Sequence, residues 1–150
     1  MRHAVAAALL LSAGAATATD CQVVSVHDGD TLTAQCADQR LKVRLAEIDA
    51  PERGQPYSRR STDHLKAICL GKSATLRGDH LDKYRRTLAR VTCAGVDANA
   101  EQVRSGYAWA FTQYLTDPDI ATLETAAKDA RRGLWRAQNP IPPWEFRHSR

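Results

Sequence analysis

Along the first third of the chain, apolar and polar positions alternate with a period of two. Gln22 to Val26 and Thr31 to Gln35 alternate on either side of Asp28-Gly29-Asp30, which predicts a β-hairpin turning at the two aspartates. Leu41-Lys42-Val43-Arg44-Leu45-Ala46 continues the pattern as a third strand, with Leu41, Val43 and Leu45 on one face and Lys42 and Arg44 on the other. Pro51, lacking an N–H for a ladder, ends the extended run that Ile48 and Asp49 continue. The period then lengthens. From Ser58 to Leu70, apolar Leu65, Ile68 and Cys69 fall at helical spacing before Gly71. Thr75 to Arg77 and Leu88 to Val91 read as short strands flanking the polar turn region Gly78 to Arg85, and Asn99 to Ser105 as a short helix stopped by Gly106. Asp117 as cap, Pro118 in the first turn, Ile120 and Leu123 on an apolar stripe and Gly133 as stop define a last helix. From about residue 137, Pro140, Pro142 and Pro143 predict an extended tail lying over the body, with Trp144 packed among the prolines.

Three strands, a helix, two strands and two helices make an α+β domain. Its five-stranded sheet can close as an oligonucleotide-binding (OB) barrel, giving five strands and three α-helices. No internal repeat, low-complexity block or linker divides it.

The amino terminus departs from this pattern. Met1-Arg2-His3 precedes an apolar run from Ala4 to Ala16, and Ala16-Thr17-Ala18 offers a small-x-small cleavage pattern. Residues 1–18 are therefore expected to be a signal peptide, with the mature protein secreted or periplasmic. The run falls short of the roughly 20 apolar residues that a membrane span needs, so no membrane is expected as a partner. Thr19-Asp20 before Cys21 argues against a lipidated cysteine. Removing 18 of the 150 residues leaves 132, one domain by size (19–150), and takes the formal charge from +4 to +3. So small an excess is weak evidence for a nucleic-acid partner, but its placement is informative. Arg59-Arg60, Lys83 to Arg86, Arg131-Arg132 and Arg147 to Arg150 form local clusters that a polyanion could use.

Cys21, Cys36, Cys69 and Cys93 are an even set in a chain expected to be exported, which predicts two disulfides. Antiparallel counting about the Asp28–Asp30 turn brings Cys21 beside Cys36, leaving Cys69 for Cys93. A four-cysteine zinc site competes, but no Cys-x-x-Cys pair is present.

The chemistry is concentrated between Asp28 and Glu52. Asp28, Asp30 and Asp49 offer the hard oxygen donors that a divalent cation takes. Arg44 offers a planar guanidinium for a phosphodiester, and Glu52 a carboxylate able to accept a proton from water. Singly, each has an ordinary explanation: Asp and Gly favour turns, a strand arginine is commonly solvated, and a glutamate can cap a turn. His27, His64, His80 and His148 show no paired spacing and read as surface residues, and Trp135 reads as a core plug behind the last helix.

Four ordered blocks resolve the ambiguity. Val26-His27-Asp28-Gly29-Asp30-Thr31, Val43 to Glu52, Asp82-Lys83-Tyr84-Arg85-Arg86-Thr87-Leu88-Ala89 and Gly133-Leu134-Trp135 together resemble the staphylococcal nuclease (thermonuclease) family, over about Val23 to Trp135. The resemblance implies an OB barrel with three helices and calcium-dependent hydrolysis of DNA and RNA to 3′-phosphate products. It implies that Asp30, Asp49 and the main-chain carbonyl of Ala50 hold Ca2+ with Asp28 in support, that Glu52 is a buried general base, and that Arg44 and Arg86 clamp the phosphate. Lys83 and Tyr84 would contact the terminal phosphate or a neighbouring nucleotide. Single-stranded DNA and RNA are the expected partners, with no obligate protein partner and a monomeric state.

The chain also departs from that pattern. Ala50 replaces a threonine of which only the carbonyl is required, and Arg85 takes a position often held by glycine. Arg53 to Gln55 is short where a longer lysine-bearing loop is usual. Thr112 falls where a tyrosine would stack on the base, leaving Tyr114 or Trp109 for that place. A barrel that binds single-stranded nucleic acid without cutting is the alternative, disfavoured by the joint presence of Arg44, Glu52 and Arg86. A disulfide-stapled binding domain unrelated to nucleic acid would leave the carboxylates and arginines unexplained.

Overall fold

The structure, a computed structural model, describes residues 18–150; apart from Ala18, the expected leader lies outside them. In chain order the elements are β1 (Ala18–Asp28), β2 (Thr31–Cys36), β3 (Gln39–Leu45), β4 (Ile48–Asp49), α1 (Ser58–Cys69), β5 (Ser73–Arg77), β6 (Thr87–Cys93), β7 (Val96–Asp97), α2 (Ala98–Arg104), β8 (Trp109–Ala110), α3 (Pro118–Asp129) and α4 (Pro143–His148). Short 3-10 turns occupy Thr112–Tyr114 and Gly133–Arg136.

The hairpin register follows the antiparallel count: Gln22 faces Gln35 and Val23 faces Ala34. Irregularities between Val23 and Ser25 and between Val26 and Asp28 disrupt the ladder, as bulges that bend a strand do. The long β1 therefore serves two neighbours, its first residues pairing with β5 and its later ones with β2. β2 pairs with β3 and β5 with β6, all antiparallel. A parallel pairing of β3 with β6, Val43 opposite Thr87 and Leu45 opposite Ala89, closes the sheet on itself. The result is the expected five-stranded α+β barrel, in the order β3-β2-β1-β5-β6, with the two-residue β7 pairing on β6 as a short sixth strand of the sheet.

Val23, Leu32, Ala34, Val43, Leu45, Leu76, Ala89 and Val91 are buried in the core. Leu65 and Ile68 from α1, Val103 from α2 and Ile120 from α3 complete it. Disulfides join Cys21 to Cys36 and Cys69 to Cys93. No free cysteine remains among the described residues, which removes the zinc alternative. No helix among them is long and apolar enough to cross a membrane.

Four expectations are corrected. α3 ends at Asp129 rather than at Gly133, and Arg131 adopts a positive φ of 50° before Gly133 opens the next 3-10 turn. Gly133 is needed there for close approach, since a Cβ would stand 2.1 Å from the Gly106 carbonyl oxygen. The tail is not extended throughout: Pro143 opens the fourth helix, α4, where a proline loses no helical hydrogen bond. Trp144 consequently stacks on Phe111, with ring centroids 5.5 Å apart, and meets the edge of Trp109 instead of the prolines. His64 is also not a bare surface residue; it hydrogen-bonds Gln102 at 2.5 Å and lies against Tyr107.

Candidate active site

Turn chemistry builds the first part of the site. Asp28 Oδ1 accepts the Asp30 N–H at 3.1 Å, fixing the hairpin turn. Asp30 then reaches across the barrel end: its Oδ2 accepts the Ala50 N–H at 2.7 Å and its Oδ1 the Thr31 hydroxyl at 3.1 Å. From outside, the fully buried Gln102 of α2 donates to the Gly29 carbonyl at 2.5 Å and to the Ser61 carbonyl at 3.1 Å. The turn is thereby tied to α1 and α2.

Arg44 sits at the centre. Alternation puts it on the face opposite Val43, yet it is only 9 % exposed because the β4 turn covers that face. Its Nη1 donates to the carbonyls of Leu45 at 2.6 Å and Ile48 at 2.8 Å. Its Nη2 lies 3.0 Å from Asp49 Oδ1 and 3.3 Å from Asp30 Oδ2. One guanidinium thus holds the two carboxylates together. Asp49, 1 % exposed, is placed by the β4 pairing with β8, where it lies opposite Trp109.

Glu52 follows on a turn closed from both sides by Gln55. Its N–H donates to Gln55 Oε1 at 2.7 Å, and the Gln55 N–H donates to its carbonyl at 2.8 Å. Its side chain is 38 % exposed, which corrects the expectation of a buried base; the turn after Pro51 leads outward to solvent.

Pattern reasoning missed Arg147. Carried by α4, it places Nη1 2.6 Å from Glu52 Oε1 and 3.3 Å from Asp49 Oδ1, and Nη2 2.8 Å from Asp49 Oδ2. The only sequence signal was a basic tail, which does not say that the tail folds back.

Arg86 stands apart from this cluster. Asp82 organises its loop, accepting the N–H groups of Tyr84 and Arg86 at 2.9 Å each and the Arg86 Nε–H at 2.7 Å. Arg85 adopts a φ of 61°, the left-handed conformation that explains why glycine suits this position. The exposed Tyr84 ring carries Lys83 at 5.1 Å and Arg86 at 5.3 Å. Of the two aromatic candidates for base stacking, Trp109 is buried against Trp135 and Trp144, whereas Tyr114 is 61 % exposed beside Phe111. Only Tyr114 has a free face.

Charge in the cluster is unbalanced. Asp28, Asp30, Asp49 and Glu52 stand against Arg44 and Arg147, so the carboxyls outnumber the guanidiniums. Crowding by protein atoms and the neighbouring Asp30 carboxylate push the Asp28 carboxyl up to about 7, while the exposed side of the turn lets water screen part of that repulsion. Burial likewise raises Asp49, against the pull of Arg147 and Arg44. Among the described residues, no three or more His, Cys, Asp or Glu side chains form a metal cluster. The expected set needs fewer, two carboxylates and a carbonyl, and its all-oxygen donors and residual charge fit a hard divalent cation.

Comparison with known proteins agrees with this architecture. Residues 42–137 match the family described as staphylococcal nuclease homologue. An uncharacterized endonuclease of Escherichia coli O157:H7 is 41 % identical over 128 residues, covering 85 % of this chain and 84 % of that protein. One of Haemophilus influenzae is 40 % identical over 139 residues, covering 92 % of this chain and 78 % of its own length. A probable staphylococcal-like nuclease of rice (Oryza sativa subsp. japonica) is 34 % identical over 112 residues, 75 % of this chain and 34 % of the longer plant protein. With its closed barrel and its carboxylates drawn around one arginine, the chain belongs to the staphylococcal nuclease family.

Proposed function

We propose that this protein is an exported, calcium-dependent endonuclease, acting as a monomer, that hydrolyses DNA and RNA with a preference for single strands and leaves 3′-phosphate ends. The observation that carries the reading is the convergence of Asp30, Asp49, Arg44 and Glu52 at one end of the barrel. A calcium ion held by Asp30, Asp49 and the Ala50 carbonyl, with Asp28 in support, would supply positive charge beside a bound phosphate. Arg44 holds the two ligand carboxylates in register, and to serve as the second phosphate clamp beside Arg86 it would exchange part of these contacts for phosphate oxygens. Arg86 has no hydrogen-bond partner for its two terminal nitrogens among the described residues, so both are available to oppose charge building on the phosphoryl oxygens. Glu52, on a turn three residues after Asp49, takes the proton from attacking water. Lys83 and Tyr84 meet a terminal phosphate, and the open face of Tyr114 stacks on a base. Two disulfides support folding in an oxidising compartment outside the cytosol.

The test uses single-stranded DNA with calcium or with chelator. Cutting is expected only with calcium, and intact DNA under calcium would return the binding-only alternative. Glu52→Gln should keep calcium affinity while losing activity by roughly 10²- to 10⁴-fold, the usual contribution of a general base; undiminished turnover would remove Glu52 from that role.

A further inference from the structure

We propose that α4 is a strap holding the site closed, with Arg147 as an internal cation that competes with the divalent ion for Asp49 and covers Glu52. The inference rests on Asp49 as a ligand and Glu52 as the base. Arg147 engages both oxygens of Asp49, at 3.3 and 2.8 Å, and one oxygen of Glu52, at 2.6 Å. A cation coordinated by Asp49 would compete with this guanidinium for the same carboxylate charge and for the space around its oxygens. The Glu52 oxygen that accepts the Nη1–H is stabilised as an acceptor for the guanidinium, which makes the carboxylate a weaker base toward water. One side chain therefore competes for the metal carboxylate and weakens the base.

The strap is docked by contacts that bear on the site. Trp144 stacks on Phe111 and meets the edge of Trp109, and Trp109 lies opposite Asp49 in the β4–β8 pair. Gln55 donates to the Ile141 carbonyl at 3.0 Å while accepting the Glu52 N–H, so tail docking and the turn of the base share one side chain. Arg150 donates to the Arg53 carbonyl at 3.2 Å and its guanidinium lies over Phe146. Against these contacts, a six-residue helix has little stability of its own, and the Arg147 side chain is 41 % exposed. Release therefore needs a competitor, not unfolding of the barrel. A divalent cation competes for Asp49 and a nucleic-acid phosphate competes for Arg147, so each should favour binding of the other.

The experiment is calorimetric titration of the full chain with calcium alone, beside hydrogen exchange of residues 143–149. Arg147→Gln should bind calcium roughly five- to tenfold more tightly than the unaltered protein, within the usual range of coupling between sites. Trp144→Ala, which undocks the helix without changing charge, should shift affinity the same way. Calcium should also lower amide protection of 143–149 in the unaltered protein. Equal calcium affinity in all three proteins, with unchanged protection, would overturn the strap and leave the metal site standing. Weaker calcium binding by Arg147→Gln, or unchanged binding with slower DNA cleavage, would make Arg147 a helper and overturn the proposal. Absence of calcium binding in every protein would overturn the metal reading and the strap with it.

Discussion

Gly29 carries no functional group, yet the placement of Asp28 and Asp30 depends on it. A Cβ there would stand 1.8 Å from Ser61 Oγ and 2.8 Å from Ala50 Cβ. Neither neighbour can yield easily: Ser61 is fully buried and donates to the Tyr107 carbonyl at 2.7 Å, and Ala50 is tied to Asp30. Gly29→Ala should therefore cost about 1–3 kcal/mol, the usual cost of overpacking, and weaken calcium binding by displacing the turn. Thermal melts and calcium titration check this. Adding Ser61→Ala removes the nearest atom but not the contacts at 2.8 Å, so it should recover only part of the loss; a stable Gly29→Ala would show that the turn is not held this tightly. Asp28, Asp30 and Arg44 could be singled out in the sequence because turn preference and strand alternation are local. The reason for glycine between the aspartates was not legible, since it lies in a helix thirty residues further on. Arg147 was hidden for a similar reason: its partners are nearly a hundred residues earlier.

The two disulfides test the elements. Cys21–Cys36 spans a separation of 15 across the first hairpin, and Cys69–Cys93 a separation of 24 from the end of α1 to the end of β6. Loop-closure entropy gives each about 3 kcal/mol, slightly more for the longer loop. Cys69 and Cys93 are fully buried, whereas Cys21 is partly exposed. Replacing Cys69 and Cys93 together by Ala should thus lower the urea midpoint more than replacing Cys21 and Cys36, because a cavity is added to the lost constraint. The opposite order in equilibrium denaturation would mean that α1 and β6 hold together without their bridge. The first hairpin and its bridge were readable because antiparallel register is arithmetic about a turn. α4 was not: six residues show less than two turns of periodicity, and Pro140, Pro142 and Pro143 announce extended chain until Pro143 is recognised as a helix start. Gly133 misled in the opposite way, since its stop signal belongs to the approach of Gly106 and not to a helix end.

Across the whole molecule, one guanidinium joins parts that the chain keeps far apart. Arg90 on β6 lies 2.7 Å from Asp97, which caps α2, 3.0 Å from Asp117, which caps α3, and 3.4 Å from Glu47 in the turn leading to Asp49. Burial would raise Glu47, but hydrogen bonds from Thr116 and Asp117 and the charge of Arg90 outweigh it and hold the carboxyl below its ordinary value. The Asp119 N–H and Arg90 lower Asp117 in the same way. A carboxyl whose value is depressed on folding binds fewer protons in the folded state, so its stabilisation is complete above the ordinary carboxylate range and is lost as pH falls through the folded value. Asp28 and Asp49, shifted upward, act in the opposite sense where they ionise, so the test compares variants at each pH. Below about pH 4.5, the ordinary value for Glu47, the melting temperature of the unaltered protein should fall. Glu47→Gln should be less stable at pH 7 and show a shallower fall. Arg90→Leu is the sharper probe: three carboxylates would then face one another without a cation, and protonation of Glu47 and Asp117 would relieve the repulsion instead of breaking their pairs. Its deficit relative to the unaltered protein should therefore be largest at neutral pH and shrink toward pH 3.5. A deficit that stays constant across that range would mean that Arg90 acts through packing of its stem, and not by holding the barrel, the two helix caps and the turn of the site in one charge network.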